Sequence, residues 1–276
     1  MKYQHLLGLL LCASVFFAGF LLKGHLGLYV NLASLMIVVG GSATAALLCF
    51  RLVRLGIVAR VVRASYGSRL KSEAEIVDIL IDLAIKSRMA GILSLQKDEH
   101  ETSVLFLRRG LGCLVDNYEP QQIRDILNTE MYFFKLRRED SERVLRTIAD
   151  FCPAFGIVGS VAGLIPLLGG IGETGIILRT VPLALTSILY GLILANFVFI
   201  PCAANLRERT NHELLLQKII LEGIIAIEGE VNPTVLKTKL LSFLTPSERK
   251  ADLVPLARIR ERFRIEDDNR PDPPLF

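Results

Sequence analysis

Four long runs of uncharged, mainly apolar residues alternate with charged segments along the chain. The runs extend over residues 6–22, 26–50, 153–172 and 180–206. A helix that crosses the hydrocarbon core of a bilayer needs ~20 such residues, so the pattern predicts four transmembrane helices. Three residues, Lys23-Gly24-His25, separate the first two runs, and residues 173–179 separate the last two. The short links predict two membrane hairpins.

The charged stretches carry the signals of α-helices. Ser72 and Glu75 have the spacing of a capping box, and the apolar positions that follow recur with a helical period up to Gly91. Pro120 suits the first turn of another helix, which we expect to continue into the third apolar run. Asn232-Pro233 marks a further helix start. With no β-hairpin signal, the sequence predicts an all-α membrane protein with a helical cytoplasmic domain.

Basic residues predict the orientation of the spans. They cluster after the second and fourth runs, whereas the opposite loops hold only Lys23 and Arg179; the clustered residues are Arg51, Arg54, Arg60, Arg63, Arg207 and Arg209. Cytoplasmic loops carry an excess of Lys and Arg, so we expect both termini and the central stretch to be cytoplasmic. The predicted parts are a membrane hairpin (1–50), a cytoplasmic helical domain (51–150), a second hairpin (151–206), and C-terminal helices with a disordered tail (207–276).

Composition narrows the function classes. The chain of 276 residues is 51% hydrophobic and has a mean hydropathy of +0.45, yet 22% of its residues are charged. A net charge of +4 without a basic stripe argues against nucleic-acid binding. No P-loop, nucleophile–base pair or metal-ligand spacing is present, so we expect neither an enzyme nor a bound metal or cofactor. Membrane lipid is the expected surrounding.

The four runs contain no Asp, Glu, Lys, Arg or His. A helix bundle that relays protons normally needs a titratable group at membrane depth. The chain is therefore either not a transporter, or it completes a pathway whose charged group belongs to a partner.

Small residues recur at four-residue spacing in the later spans, in Gly41-x-x-x-Ala45, Gly159-x-x-x-Gly163 and Gly191-x-x-x-Ala195. Such motifs let helix backbones approach closely. Two interpretations stay open: packing within one subunit, or a surface that surrounds another helix and supports a ring of subunits.

Hydroxyl groups and prolines are the other candidate functional features of spans three and four. Ser160, Thr186 and Ser187 either bond to their own helix backbone or line a wet ion path. Pro153 and Pro201, near the predicted cytoplasmic ends of these spans, are either helix boundaries or a paired hinge at the inner mouth of a channel.

Several segments resemble the MotA/PomA flagellar stator family. Residues 153–164 (PAFGIVGSVAGL) resemble the family's third span, and residues 187–196 (SILYGLILAN) followed by Pro201 resemble its fourth. Residues 31–41 (NLASLMIVVGG) and 87–91 (SRMAG) resemble its second span and its cytoplasmic segment. The two later span motifs also occur in the wider TolQ/ExbB group, whereas a short hairpin followed by a long cytoplasmic loop favours the stator branch.

The resemblance implies a function. Such proteins form a ring of five copies in the bacterial inner membrane around two helices of a MotB-like partner, which supplies the ion-binding aspartate. Ion flow turns the ring, and its cytoplasmic helices push on the rotor protein of the flagellar switch. A proton crossing ~100 mV releases ~2.3 kcal/mol, so several in succession can drive a mechanical step.

The resemblance also implies residue roles. Pro153 and Pro201 match the family's functional prolines, and Asp150 matches an acidic position near the inner mouth. Arg88 matches a rotor-facing arginine. Gln96 stands where the family often has a rotor-facing glutamate.

The same comparison bears on the coupling ion. Ser160 matches a position that is usually threonine in sodium-driven members, and Ile188 replaces the second hydroxyl of their span-four pair. Because sodium coordination needs several hard oxygen ligands, the pattern favours protons. The alternatives are a TolQ/ExbB-type energiser of another envelope or defence process, and a membrane scaffold without ion flow.

Overall fold

The computed structural model describes residues 29–67, 72–102, 104–169 and 174–244, together with the single positions 14, 15, 18, 19 and 22. The regular secondary structure of these residues is helical throughout. The α-helices are α1 (Leu32–Cys49), α2 (Leu52–Gly67), α3 (Glu73–Ala90), α4 (Gln96–Glu101), α5 (Leu105–Val115), α6 (Pro120–Gly169), α7 (Thr174–Ile193), α8 (Ile200–Glu228) and α9 (Pro233–Leu241). A short 3₁₀ helix (Ile92–Leu95) precedes α4, and a π-helical segment (Leu194–Phe199) joins α7 to α8.

Three of the predicted spans fall on helices that are long and apolar enough to cross a membrane. These helices are Leu32–Cys49, Pro120–Gly169 and Gly175–Glu228. The first predicted span, residues 6–22, lies almost entirely outside the described residues. The disordered tail expected near the C-terminus lies outside them as well.

The chain divides into two compact units. One comprises Met1–Ser68 and Lys135–Asn211, and the other comprises Arg69–Phe134 and His212–Phe276. The first therefore contains α1, α2, α7, the apolar half of α6 and the start of α8. This division is based on contacts within the chain and not on a membrane. The predicted membrane boundaries at residues 50, 150 and 206 therefore remain predictions.

Apolar side chains from several helices form the core of the second unit. Leu80 of α3, Leu111 of α5 and Ile224 of α8 are completely buried there. At two points in this core, neighbouring helices lie so close together that the position requires glycine. A Cβ at Gly110 would lie 2.9 Å from a side-chain carbon of Ile224, and one at Gly223 would lie 2.6 Å from a side-chain carbon of Leu80. Full burial of such side chains contributes ~1.5–3 kcal/mol each, so packing stabilises this helical unit.

Most local helix signals are confirmed, and one is wrong. Helix α6 begins at Pro120, α9 begins at Pro233 after an Asn232 cap, and α3 ends at Gly91, whose φ is 80°. A positive φ costs glycine little. The predicted capping box at Ser72 and Glu75 does not form: Ser72 occupies the N-cap position, but its side chain makes no capping hydrogen bond.

Candidate functional site

Hydroxyl groups of two spans meet at the contact between α1 and α7. The Ser34 hydroxyl donates to the carbonyl oxygen of Leu183 at 2.9 Å and lies 2.9 Å from the hydroxyl of Thr186. Thr186 also donates to the carbonyl oxygen of Pro182 at 2.7 Å. Both hydroxyl side chains are buried. Thr186, a predicted ion-path residue, therefore serves helix packing within a single chain, which matches the backbone-bonding interpretation.

Ser187 and Ser160 lie at the contact between α6 and α7. Ser187 is fully buried, and its hydroxyl donates to the carbonyl oxygen of Leu183 at 2.9 Å. A Cβ at Gly159 would lie 2.7 Å from the Ser187 hydroxyl oxygen, so glycine makes room for this serine. Ser160, the next residue along α6, is buried as well.

The small-residue motifs of the spans pack inside the chain. A Cβ at Gly191 would lie 2.5 Å from the carbonyl oxygen of Cys152, and one at Gly163 would lie 3.1 Å from the backbone nitrogen of Ala184. A Cβ at Gly41 would overlap the ring of Phe155 at 2.2 Å. Of the two interpretations, packing within one subunit is the one seen, and these faces are not free to surround another helix.

The two prolines of the predicted inner mouth occupy different local settings. Pro153 lies inside the continuous helix α6 and is half-buried; its Cα would be 3.1 Å from a Cβ at Gly191. Pro201 is exposed and is the second residue of α8, one residue beyond the end of the π-helical segment. Asp150, one turn before Pro153, is exposed. Neither proline is a simple helix boundary, because helical structure continues on both sides of each one.

Tyr190 makes a helix contact that sequence reasoning missed. The backbone N–H of Asn31 donates to the Tyr190 hydroxyl at 2.9 Å, and that hydroxyl donates to the carbonyl oxygen of Tyr29. The Asn31 side chain caps α1 by accepting from the N–H of Ser34 at 3.2 Å. Asn before an apolar run is a capping signal, whereas its link to Tyr190 spans 159 residues and leaves no local pattern.

The predicted rotor-contact residues flank one corner of the second unit. Arg88 is exposed in the last turn of α3, and Gln96 is exposed at the start of α4, with the Gly91 turn between them. Lys86 pairs with Asp98 at 2.5 Å and connects the two helices. Asp98, two residues after Gln96, therefore forms an ion pair within the chain.

Glu222 forms ion pairs with three basic side chains. Its carboxylate oxygens lie 2.7 Å from Lys239, 3.4 Å from Lys218 and 3.5 Å from Arg124. Burial raises the pKa of Glu222, but hydrogen bonds and charge from Lys239 and then Lys218 outweigh it, so the net pKa is lowered. This carboxylate stays ionised at neutral pH and connects α6, α8 and α9.

Within the described ranges, no three His, Cys, Asp or Glu side chains come together in a way that could hold a metal ion. The arrangement provides buried hydroxyls, helices with internal prolines and an exposed charged corner. The described parts of the predicted spans, within residues 29–50, 153–169 and 180–206, contain no Asp, Glu, Lys, Arg or His.

Comparison with known proteins decides the family. A model of the MotA/TolQ/ExbB proton channel family matches residues 98–218. Motility protein A of Borreliella burgdorferi is 30% identical over 224 residues, which cover 81% of this chain and 86% of that protein. The chain belongs to the MotA/PomA family. Chemotaxis protein PomA of Vibrio alginolyticus is 28% identical over 253 residues, covering 92% of this chain and 99% of that one.

Solved structures of this family share the fold. The Campylobacter jejuni MotAB structure has a TM-score of 0.82 at 23% identity and covers 89% of this chain and 97% of its own. The MotAB stator complex of Bacillus subtilis has a TM-score of 0.83 at 24% identity, with coverages of 90% and 98%. The MotA/PomA relatives do not favour the TolQ/ExbB alternative. A member of this family is a channel subunit in the membrane and not an enzyme.

Proposed function

We propose that this chain is the flagellar stator subunit that, with a MotB-like partner, forms a proton channel and converts ion flow into torque on the rotor. The observation that carries the proposal is the pairing of a MotA/PomA chain with apolar spans that hold no titratable side chain. Conduction through such spans requires a carboxylate from elsewhere. The partner's aspartate meets that requirement.

The proposed topology has four spans in the bacterial inner membrane, with both termini in the cytoplasm. The arginines that follow the second and fourth spans support it. Two residues separate the end of α1 from the start of α2, and α2 carries three of these arginines. It would therefore lie at the cytoplasmic boundary.

We further propose a ring of subunits, five in number by family resemblance, around the partner's helices. The small-residue motifs no longer support a ring, because they pack inside the chain. Its support is the exposed apolar surface of α6, where Ile157, Val161 and Ile165 are each more than half exposed. These side chains share a helix face at spacing of four residues. Neighbouring copies, the partner's helices or lipid would cover them.

The inner mouth is proposed to work through Pro153 and Pro201, with Asp150 beside it. Each proline removes a backbone donor, and a π-helical turn adjoins one of them. Such turns accommodate helix deformation and often occur at functional sites. A change in the partner's protonation would then shift the ends of spans three and four.

Protons are the proposed coupling ion. Thr186 and Ser187 already donate to backbone carbonyls, and Ile188 adds no oxygen ligand. A sodium ion would need several ligands in place of water, whereas a proton needs the partner's carboxylate and a chain of waters. Ser160, Thr186 and Ser187 remain the proposed residues of the proton path, with Ser160 proposed to lie nearest to it.

Swimming after deletion and complementation tests the proposal. Deletion should abolish flagellar rotation while filaments remain, and the intact gene should restore it. Rotation should persist in sodium-free medium at fixed proton-motive force and stop with a protonophore. Normal rotation in the deletion strain would contradict the stator function, and sodium-dependent rotation that survives the protonophore would contradict the proton assignment alone.

A further inference from the structure

A cavity of about 640 Å³ opens within the first unit. Helices α1, α2 and α6 and the π-helical segment line it, together with the start of α8. Small-molecule sites usually measure ~300–1,000 Å³, so this cavity is large enough for a ligand. Ser160, Thr186 and Ser187, which the proposed ion path uses, are not among the residues that line it.

The wall of the cavity is almost entirely hydrocarbon. Representative lining residues are Val39, Ala46, Leu55, Val62, Leu145 and Val198. Apolar walls offer water few of the polar partners that an ordered water needs, and covering them with hydrocarbon instead of water is favourable by ~25 cal/mol per Å². An alkyl chain is therefore a better occupant than solvent.

Ser42 contributes a polar side chain to this apolar wall. Its side chain is only 4% exposed, and among the described residues its hydroxyl has no oxygen or nitrogen partner, only the thiol of Cys152. The neighbouring Cys152 thiol is a weak acceptor and itself donates to the carbonyl oxygen of Ile148 at 3.3 Å. Buried hydroxyls are normally satisfied, so Ser42 calls for an acceptor on the ligand, such as an ester oxygen.

Arg63 supplies a positive charge at the cavity. It lines the cavity and its side chain is exposed. Arg60 precedes it by three residues on α2, which brings the two side chains to the same part of the helix surface. No described residue forms an ion pair with either of them, whereas Arg54 of the same helix pairs with Asp140 at 2.9 Å.

We infer that this cavity binds one anionic phospholipid, with an acyl chain between α1, α2 and α6 and the phosphate on Arg63 and Arg60. Guanidinium groups bind phosphate with two parallel hydrogen bonds. Basic residues just cytoplasmic of a transmembrane helix attract anionic lipid. A headgroup with net negative charge fits two arginines better than a zwitterionic one, whose ammonium would lie near them. The inference does not depend on which machine the channel drives.

Native mass spectrometry of the complete complex with its partner provides the test. The delipidated complex would be titrated with phosphatidylglycerol and, separately, phosphatidylcholine. We expect tighter binding of phosphatidylglycerol, and about tenfold weaker binding of it in Arg63→Gln, because a hydrogen bond to a charged group contributes ~1.5–3 kcal/mol. Arg207→Gln, which removes an exposed arginine outside the cavity lining, is the matched control and should bind normally.

A second variant tests the cavity itself. Ala46→Phe fills it and should reduce binding of both lipids, with thermal unfolding of the complex confirming that the variant folds. A phosphatidylglycerol with a photoreactive acyl chain should label peptides of α1 around Ala43 and Leu47 and peptides of α2 around Leu55 and Ala59. Equal affinity for both lipids together with normal binding by Arg63→Gln would overturn the anionic specificity. Absence of label in α1 and α2 with unchanged binding by Ala46→Phe would overturn the site. A changed copy number of the complex in Ala46→Phe would also overturn it, since protein and not lipid would then fill the cavity.

Discussion

Glu222 joins three helices through cations on each of them. Glu222→Gln keeps the shape but removes the charge, so we expect a loss of ~1–2 kcal/mol of stability and weaker protection of α9 in hydrogen exchange. Glu101→Gln removes one member of an exposed pair with Lys97 at 4.0 Å and should have almost no effect.

The lowered pKa of Glu222 makes this contribution depend on pH. A carboxylate with a lowered folded-state pKa stabilises above its unfolded pKa of ~4.3, and the contribution is lost as the pH falls through the folded value. The difference in melting temperature between the native chain and Glu222→Gln should therefore be present at pH 7 and shrink below pH 4. An unchanged difference at pH 3 would contradict this role.

Arg88 is exposed beside the Gly91 turn and has no acidic neighbour at Gln96. Charge complementarity chiefly affects encounter and register, so Arg88→Glu should lower swimming torque partially while the complex still assembles. Arg143→Glu, at an exposed arginine of α6 outside this corner, is the control. We would measure rotation speed of tethered cells under load. Equal torque in Arg88→Glu and the control would remove Arg88 from the proposed rotor contact.

At the scale of helices, glycine sets how closely α6 and α7 approach. A Cβ at Gly191 would lie 2.5 Å from a backbone oxygen, which cannot rotate away. Gly191→Ala should therefore lower stability by ~1–3 kcal/mol, seen as a lower melting temperature. Gly40→Ala, where a Cβ meets nothing within 4 Å, should be neutral or stabilising. A Gly191→Ala chain as stable as Gly40→Ala would show that the two helices separate easily.

The two mouth prolines are expected to act as a pair. Pro153→Ala or Pro201→Ala restores a backbone donor and straightens its helix, so rotation should fall while the partner still binds. Pro166→Ala, in the same helix α6 but deeper in the apolar run, is the control. Rotation rate and co-purification of the partner would be measured for all three. Normal rotation of both variants would show that Pro153 and Pro201 affect only the shape of their helices and have no role at the inner mouth.

The elements themselves were predictable where hydrophobic period and caps agree. Pro120, Gly91 and Asn232-Pro233 mark real helix ends because the relevant interactions lie within one turn. The π-helical segment was not predictable, since its residues Leu194–Phe199 are as apolar as their helical neighbours. Ser34 and Thr186 meet across 152 residues, so no local pattern reveals that the candidate path hydroxyl already has a partner.

For the whole molecule, the apolar runs predicted the membrane class, and the relatives confirm the stator family. The exposed apolar surface of α6 and the cavity lined by Arg63 are properties of the folded chain that the sequence pattern alone does not locate. We propose that neighbouring copies, the partner's helices or lipid cover the first, and that an anionic lipid fills the second. We therefore propose that a single chain does not function without these other molecules.

The central claim is that conduction requires the partner's carboxylate. Vesicles with an imposed membrane potential and an external pH-sensitive dye measure it most directly. Three preparations would be compared: this chain alone, the complex, and the complex with the partner's membrane aspartate changed to asparagine. The account predicts proton uptake only by the intact complex. Uptake by the chain alone equal to that of the complex would contradict it.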